Sequence, residues 1–299
     1  MSDCFAMGVD PQTALALAVI PYSAADFITE ATLTAMLAGA CDALEQDGCQ
    51  LVGGHTTEGA ELSLGFSISG FVDNPNNLFR KKGGQIGDRI VLTKSIGIGA
   101  VFASDMRAEC KGKHVAQALS IMVKSNQPAC RIARKLKRHI RACTDVTGYG
   151  LVGHLLEMLV ANDGDDVLPS IGALLHLNQI PFLDGAIEAS SKGITSSLFQ
   201  ENFRCRNAIS NHEEAVRNAS DLYPLIFDPQ TAGGLLLFVS PDICDEFVSL
   251  LREFEGEKNT MVAVVGEVVE YNEASLDNLG YCAIGGDRKS IDSRITICF

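Results

Sequence analysis

The feature that most constrains this chain is the way the period of its apolar residues changes along it. Leu62, Leu64, Phe66 and Ile68 alternate with Ser63, Gly65, Ser67 and Ser69, the period of two that belongs to a half-buried strand. Over residues 29–47 the apolar positions Leu33, Met36, Leu37, Ala40 and Leu44 recur at helical spacing instead, with Thr29 placed to cap the start and Gly48 to close the end. Strand-type runs are also expected at 13–20, stopped by Pro21, at 49–52, breaking at Gly53-Gly54, and at 89–93, 234–239 and 261–269. Helical patterns are expected over 100–137, 151–160 and 241–254. Strands and helices alternate without a strict strand–helix–strand rhythm, which predicts an α+β or mixed α/β class. A length of 299 residues suggests two domains. The turn-rich stretch 73–87, with Pro75, Arg80-Lys81-Lys82 and Gly83-Gly84, is the expected linker, so the domains are placed at 1–80 and 86–299.

Charge narrows the partners. With 24 Lys and Arg against 37 Asp and Glu, the formal net charge is −13, which repels polyanions at long range. A general nucleic-acid or acidic-membrane surface is not expected. A small anion would need a divalent metal or a set of backbone N–H groups to supply the missing positive field. The ten cysteines stand in no C-x-x-C pair or zinc-ligand spacing and are expected to be mostly buried thiols in a reducing compartment. No signal segment or apolar run of 18 residues is evident, so no membrane is expected.

Three segments carry residue types suited to phosphate chemistry. Gly53-Gly54-His55-Thr56 reads as a loop between two strands, in which paired glycines would let backbone N–H groups turn to an anion and Thr56 would add a hydroxyl. A tight turn accounts for the same pattern. In 144–150, the carboxylate of Asp145 stands at a strand end, a hydroxyl follows at Thr147, and Gly148 and Gly150 open the next helix. That suits Mg²⁺, a hard ion that takes one or two carboxylates and leaves other positions to water and phosphate; helix capping is the competing explanation. Asp228-Pro229-Gln230-Thr231-Ala232-Gly233-Gly234 is a turn before a buried strand.

In order along the chain, Ser2-Asp3-Cys4-Phe5-Ala6-Met7-Gly8, Leu51-Val52-Gly53-Gly54-His55-Thr56-Thr57-Glu58-Gly59, Asp145-Val146-Thr147-Gly148-Tyr149-Gly150-Leu151-Val152-Gly153-His154 and the 228–234 segment closely resemble the motifs of the selenophosphate synthetase (selenide, water dikinase) family. Residues 87–94 and 265–268 fit the same pattern, and the resemblance covers essentially the whole chain. It implies the two-domain α+β fold of the aminoimidazole ribonucleotide synthetase-like superfamily, shared with thiamine-monophosphate kinase and a hydrogenase-maturation dehydratase. It further implies ATP-dependent phosphorylation of selenide to selenophosphate with release of AMP and phosphate, Mg²⁺ as cofactor, a homodimer sharing a β-barrel, and a cytoplasmic location. Carried over residue by residue, Asp3 and Asp145 look like metal carboxylates. Asp3, Gly53, Gly54, His55 and Thr56 look like nucleotide contacts. Members of the family also carry, upstream of the Ser2 to Gly8 segment, a loop with a reactive Cys or selenocysteine and a Lys. No residue of this chain matches that loop, so no catalytic nucleophile is assigned. The N-terminal part is expected to be truncated and activity of the chain alone to be impaired. The alternative expectation is a non-catalytic short form that binds a nucleotide or a partner.

Overall fold

The computed structural model describes residues 1–22, 25–161, 170–256, 261–271, 280–284, 287–291 and 293–299. The chain divides into two units, Met1–Leu78 and Phe79–Phe299. In the first, α1 (Ser2–Ala6) leads to β1 (Pro11–Pro21), α2 (Asp26–Gln46), β2 (Gln50–Gly59) and β3 (Ser63–Gly70). The sheet order is β2-β1-β3, with β1 parallel to β2 and antiparallel to β3. Along β1, Ala14, Ala16, Ala18 and Ile20 are buried, while Leu15 and Leu17 on the opposite face are half exposed. Helix α2 covers one end of the sheet, where Leu44 packs with Ala14 and Cys49, flanked by Leu51 and Ile68.

Two local expectations change. Helix α2 starts at Asp26 rather than after Thr29; Ala25 occupies the cap position without a side-chain bond, whereas Gly48, at φ +75°, does close the helix. Its length and its most apolar window, of mean hydropathy 1.3, reach what a membrane span needs, although Glu30 and Asp42 interrupt the run. The strand expected to break at Gly53-Gly54 instead continues through them. Gly53, Gly54, His55 and Thr56 pair with Leu15, Ala16, Leu17 and Ala18, beyond a register shift at Ala14/Leu15. The glycine is there for close approach rather than for a turn, because a Cβ on Gly54 would lie 2.1 Å from the Ala16 carbonyl oxygen.

The second unit runs β4 (Arg89–Leu92), α3 (Ile98–Asp105), α4 (Gly112–Met122), α5 (Gln127–Lys135), β5 (Ile140–Asp145), α6 (Gly150–Val160), β6 (Ile171–His176), α7 (Asp184–Ser191), α8 (Phe199–Asn202), α9 (His212–Asn218), β7 (Leu235–Val239), α10 (Cys244–Glu255), β8 (Ala263–Glu270), β9 (Gly280–Ile284), β10 (Asp287–Ile291) and β11 (Ile295–Cys298). Six of these strands form one sheet in the order β11-β6-β8-β4-β7-β5, antiparallel between neighbours except for β11 and β6; β9 and β10 pair separately. The mixed sheet with helices confirms the α+β class. The central strands β4 and β7 are apolar on both faces because both are covered. Ile90, Leu92, Leu236 and Phe238 share a core with Leu151, Leu155 and Leu159 of α6. A second core joins Ile98 and Val101 of α3, Ile121 of α4, and Leu183 and Ala186 at α7.

Of the cysteines, Cys49, Cys130, Cys143, Cys205 and Cys244 are buried and Cys41 is exposed; none of those described is in a disulfide, and the Cys282 side chain lies outside the described residues. Phe238→Ala should cost about 3–5 kcal/mol of stability by urea unfolding, since it empties a fully buried ring site. Phe254→Ala, at a site 63% exposed, should change stability by less than about 0.5 kcal/mol.

Candidate functional site

The carboxylate of Asp145 stands on the last residue of β5, opposite Leu235 of β7, and is half-buried. Among the described residues it has no hydrogen-bond or ion-pair partner. The loop after it is stitched to the 228–234 turn by main-chain bonds: the Val146 N–H donates to Gly234 O at 2.9 Å and the Gln230 N–H to Thr147 O at 3.0 Å. The two chain segments touch so closely that a Cβ on Gly233 would lie 2.1 Å from Val146 O. Two of the segments singled out in the sequence therefore form one structure. Gly150, at φ +69°, then turns the chain into α6 with its backbone against Phe227 O.

Buried amides, one of them Gln230 in the turn itself, and a buried ammonium tie this pair of loops to the rest of the unit. Gln230 accepts the Gly97 and Ile98 N–H groups through Oε1, at 2.8 and 3.1 Å, and donates from Nε2 to Asp228 O. Asn126 donates to Gly233 O at 2.9 Å; Asn202 donates to Gly148 O and Phe227 O. Lys94, at the end of the resembling 87–94 segment, is 6% exposed and donates to Lys124 O and Ala232 O. These bonds satisfy several of the loops' carbonyl and amide groups and tie the loops to the body of the unit. Sequence reading assigned no role to these four side chains, because each stands singly and acquires a task only when the loops meet.

Two carboxylates near the loops are displaced in opposite directions. Burial raises the Asp228 carboxyl; hydrogen bonds from Ser196 and the Ala100 N–H oppose this without cancelling it. Burial also works to raise Glu157, but hydrogen bonds and charge from His154 and Lys81 outweigh it and hold the carboxyl below its ordinary range. Lys81 Nζ lies 2.7 Å from Glu157 Oε2.

In the first unit, Asp3 is exposed in the first turn of α1. Burial pushes the neighbouring Cys4 thiol up, which disfavours a thiolate there. Gly53, Gly54, His55 and Thr56 lie in sequence on β2, all exposed on an edge strand. Their registers put Gly53 and His55 on the Leu15–Leu17 face and Thr56 on the face of Ala16 and Ala18. Asp3 and the β2 residues thus belong to the first unit and Asp145 to the second. Among the described residues no group of three or more His, Cys, Asp and Glu side chains forms a metal cage. The donors present, a carboxylate and a nearby hydroxyl, fit a hard cation that retains waters and phosphate oxygens.

Residues 85–277 match the AIR synthase related protein, C-terminal domain, and residues 1–72 match the N-terminal domain of the same family. Selenide, water dikinases from Pelobacter propionicus and Clostridioides difficile are 34% and 30% identical to the chain over 272 and 275 residues, spanning 90% and 91% of it and 72% and 73% of their own lengths. The chain belongs to the selenide, water dikinase family. That family is one of phosphotransferases. The fold is the superfamily's: a hydrogenase maturation protein HypE aligns with a TM-score of 0.64 at 16% identity, covering 97% of this chain and 79% of that one. Thiamine-monophosphate kinase from Stenotrophomonas maltophilia aligns at 0.59 and 16%, covering 90% and 72%.

The two displaced carboxyls give opposite pH signatures. Glu157 is held low, so its contribution to stability is full above the ordinary carboxylate range and is lost as pH falls through its own lower value. Asp228 is held high, so its charge is a cost at neutral pH that disappears as pH falls through its raised value toward the ordinary carboxylate range. Thermal midpoints against pH should therefore show Glu157→Gln losing most to wild type at neutral pH and converging with it in acid. Asp228→Asn should compare best with wild type at neutral pH and lose that relative advantage in acid.

Proposed function

We propose that this chain serves ATP-dependent phosphorylation of selenide to selenophosphate, with AMP and phosphate as the other products. The observation that carries the reading is the half-buried Asp145 carboxylate, left without a protein partner among the described residues at the end of a loop pair tied together by main-chain bonds and by Gln230 and Asn126. In the proposed assignment Asp3 in the first unit and Asp145 in the second are each a carboxylate that binds Mg²⁺. Bound Mg²⁺ neutralises the charge that develops on a transferred phosphoryl group. Gly53, Gly54, His55 and Thr56 are assigned to the nucleotide: β2 is an edge strand, so its outer N–H groups are open, and the two glycines leave the backbone uncovered. A HypE of the same fold, aligned at a TM-score of 0.64 and 15% identity, has been solved in complex with ATP, which supports a nucleotide reading of the fold. The strongly negative chain repels an anionic nucleotide at long range, and a divalent cation together with local backbone N–H groups would supply the opposing positive field.

We also propose that two copies of the chain associate through the first unit. Leu15 and Leu17 are 48% and 53% exposed on one face of its sheet, an apolar surface suited to cover by a second sheet.

Selenide-dependent AMP formation, with phosphorus NMR to detect selenophosphate, tests the activity. Turnover by the chain alone should be impaired, and Asp145→Ala should weaken Mg²⁺-ATP binding in calorimetry by at least about tenfold while its thermal midpoint stays near that of wild type. Mg²⁺-ATP binding by Asp145→Ala equal to wild type would remove the metal assignment. Leu17→Asp should convert the dimer to a monomer by light scattering; an unchanged mass would place the contact elsewhere.

A further inference from the structure

His154 is 5% exposed in the second turn of α6. Its Nδ1 lies 3.1 Å from Glu157 Oε2 and its Nε2 3.2 Å from Thr147 Oγ1. Tyr149 stacks obliquely on the ring, with centroids 5.6 Å apart. The same Glu157 oxygen takes the Lys81 ammonium at 2.7 Å. The result is a line of four groups, Lys81, Glu157, His154 and Thr147, that starts at the exposed Lys81 and ends two residues after Asp145.

The direction of hydrogen bonding along this line follows from its acidic end. Glu157, held ionised by the Lys81 ammonium, can only accept. His154 therefore donates to it from Nδ1, and the Nε2 lone pair of that tautomer accepts from the Thr147 hydroxyl. Thr147 thereby spends its one proton on the buried side, and its oxygen lone pairs remain for a donor or a cation. Metal ligands are oriented by hydrogen-bonded groups behind them, and here a histidine backed by a carboxylate stands behind the Thr147 hydroxyl. A histidine kept only to fill the core would need neither the half-exposed hydroxyl at one end nor the lysine-anchored carboxylate at the other.

We propose that Thr147 Oγ1 is an oxygen ligand to the divalent cation beside Asp145, and that His154 and Glu157 are positioning residues that fix its hydroxyl proton inward. The inference rests on the reading of Asp145 as a metal carboxylate, and its test separates the two. Nucleotide binding to the full chain is measured by calorimetry with ATP and Mg²⁺, and again with ATP in EDTA, alongside nitrogen-15 spectra of the histidine rings. His154 should show the Nδ1–H tautomer. Thr147→Val and His154→Leu should each weaken Mg²⁺-ATP binding about tenfold and leave binding in EDTA unchanged. Thr147→Ser should bind as wild type, and His154→Gln, which retains an acceptor near the Nε2 position, should recover most of the loss. The double variant Thr147→Val/His154→Leu should be no weaker than either single one, because both cut the same line. Thr147→Val, at a half-exposed site of equal side-chain size, serves should His154→Leu fail to fold. If Thr147→Val keeps wild-type Mg²⁺ dependence while Asp145→Asn loses it, the relay is wrong and the carboxylate reading stands. If Asp145→Asn also keeps it, both are wrong.

Discussion

The two backbone bonds between the 145–150 loop and the 228–234 turn set the geometry on which the site depends. Val146 to Gly234 and Thr147 to Gln230 continue the β5–β7 pairing past the last residue of the sheet, so Asp145 is presented from a rigid ladder end rather than from a free loop. The contact tolerates no side chain at Gly233, where a Cβ would meet Val146 O at 2.1 Å. Around it, Gln230, Asn126, Asn202 and Lys94 consume the buried donors and acceptors that would otherwise be a cost. The Asp145 carboxylate, half-buried at the end of this ladder, has no protein partner among the described residues.

Electrostatics then give that carboxylate a purpose. A chain of net charge −13 repels a nucleotide, and burying acids such as Asp228 adds to the cost. In the proposed assignment a hard cation held partly by Asp145 would reverse the local field without a large patch of Lys or Arg. The line from Lys81 to Thr147 would complement it by offering an oriented neutral oxygen rather than more charge.

Much of the second unit was legible from sequence because its signals are local. The apolar runs at 89–93 and 234–239 are buried on both faces and so look alike whichever neighbours they have. Asp145 at a strand end before helix-opening glycines was visible for the same reason. The first unit was harder. Gly53-Gly54 has the local look of a turn, yet the need for glycine comes from Ala16 on the adjacent strand, which no local pattern reveals. The start of α2 was placed at Thr29 because that residue can cap, whereas the helix begins behind Ala25 with no side-chain cap at all. Likewise Gln230 and Asn202 are unremarkable until loops far apart in sequence lie side by side. His154 and Glu157 stood at readable i, i+3 spacing, but their link to Thr147 needs the turn at Gly150.

The claim that Asp145 and its stitched loops hold a cation for the nucleotide is tested most directly with paramagnetic Mn²⁺ added with ATP to isotope-labelled protein. The account predicts that amide signals of Asp145, Val146, Thr147 and Gly148, with Gly233 and Gly234 across the ladder, broaden at the lowest Mn²⁺ levels, and that Asp145→Asn abolishes this. Broadening that begins elsewhere in the second unit, or that survives Asp145→Asn unchanged, would contradict it.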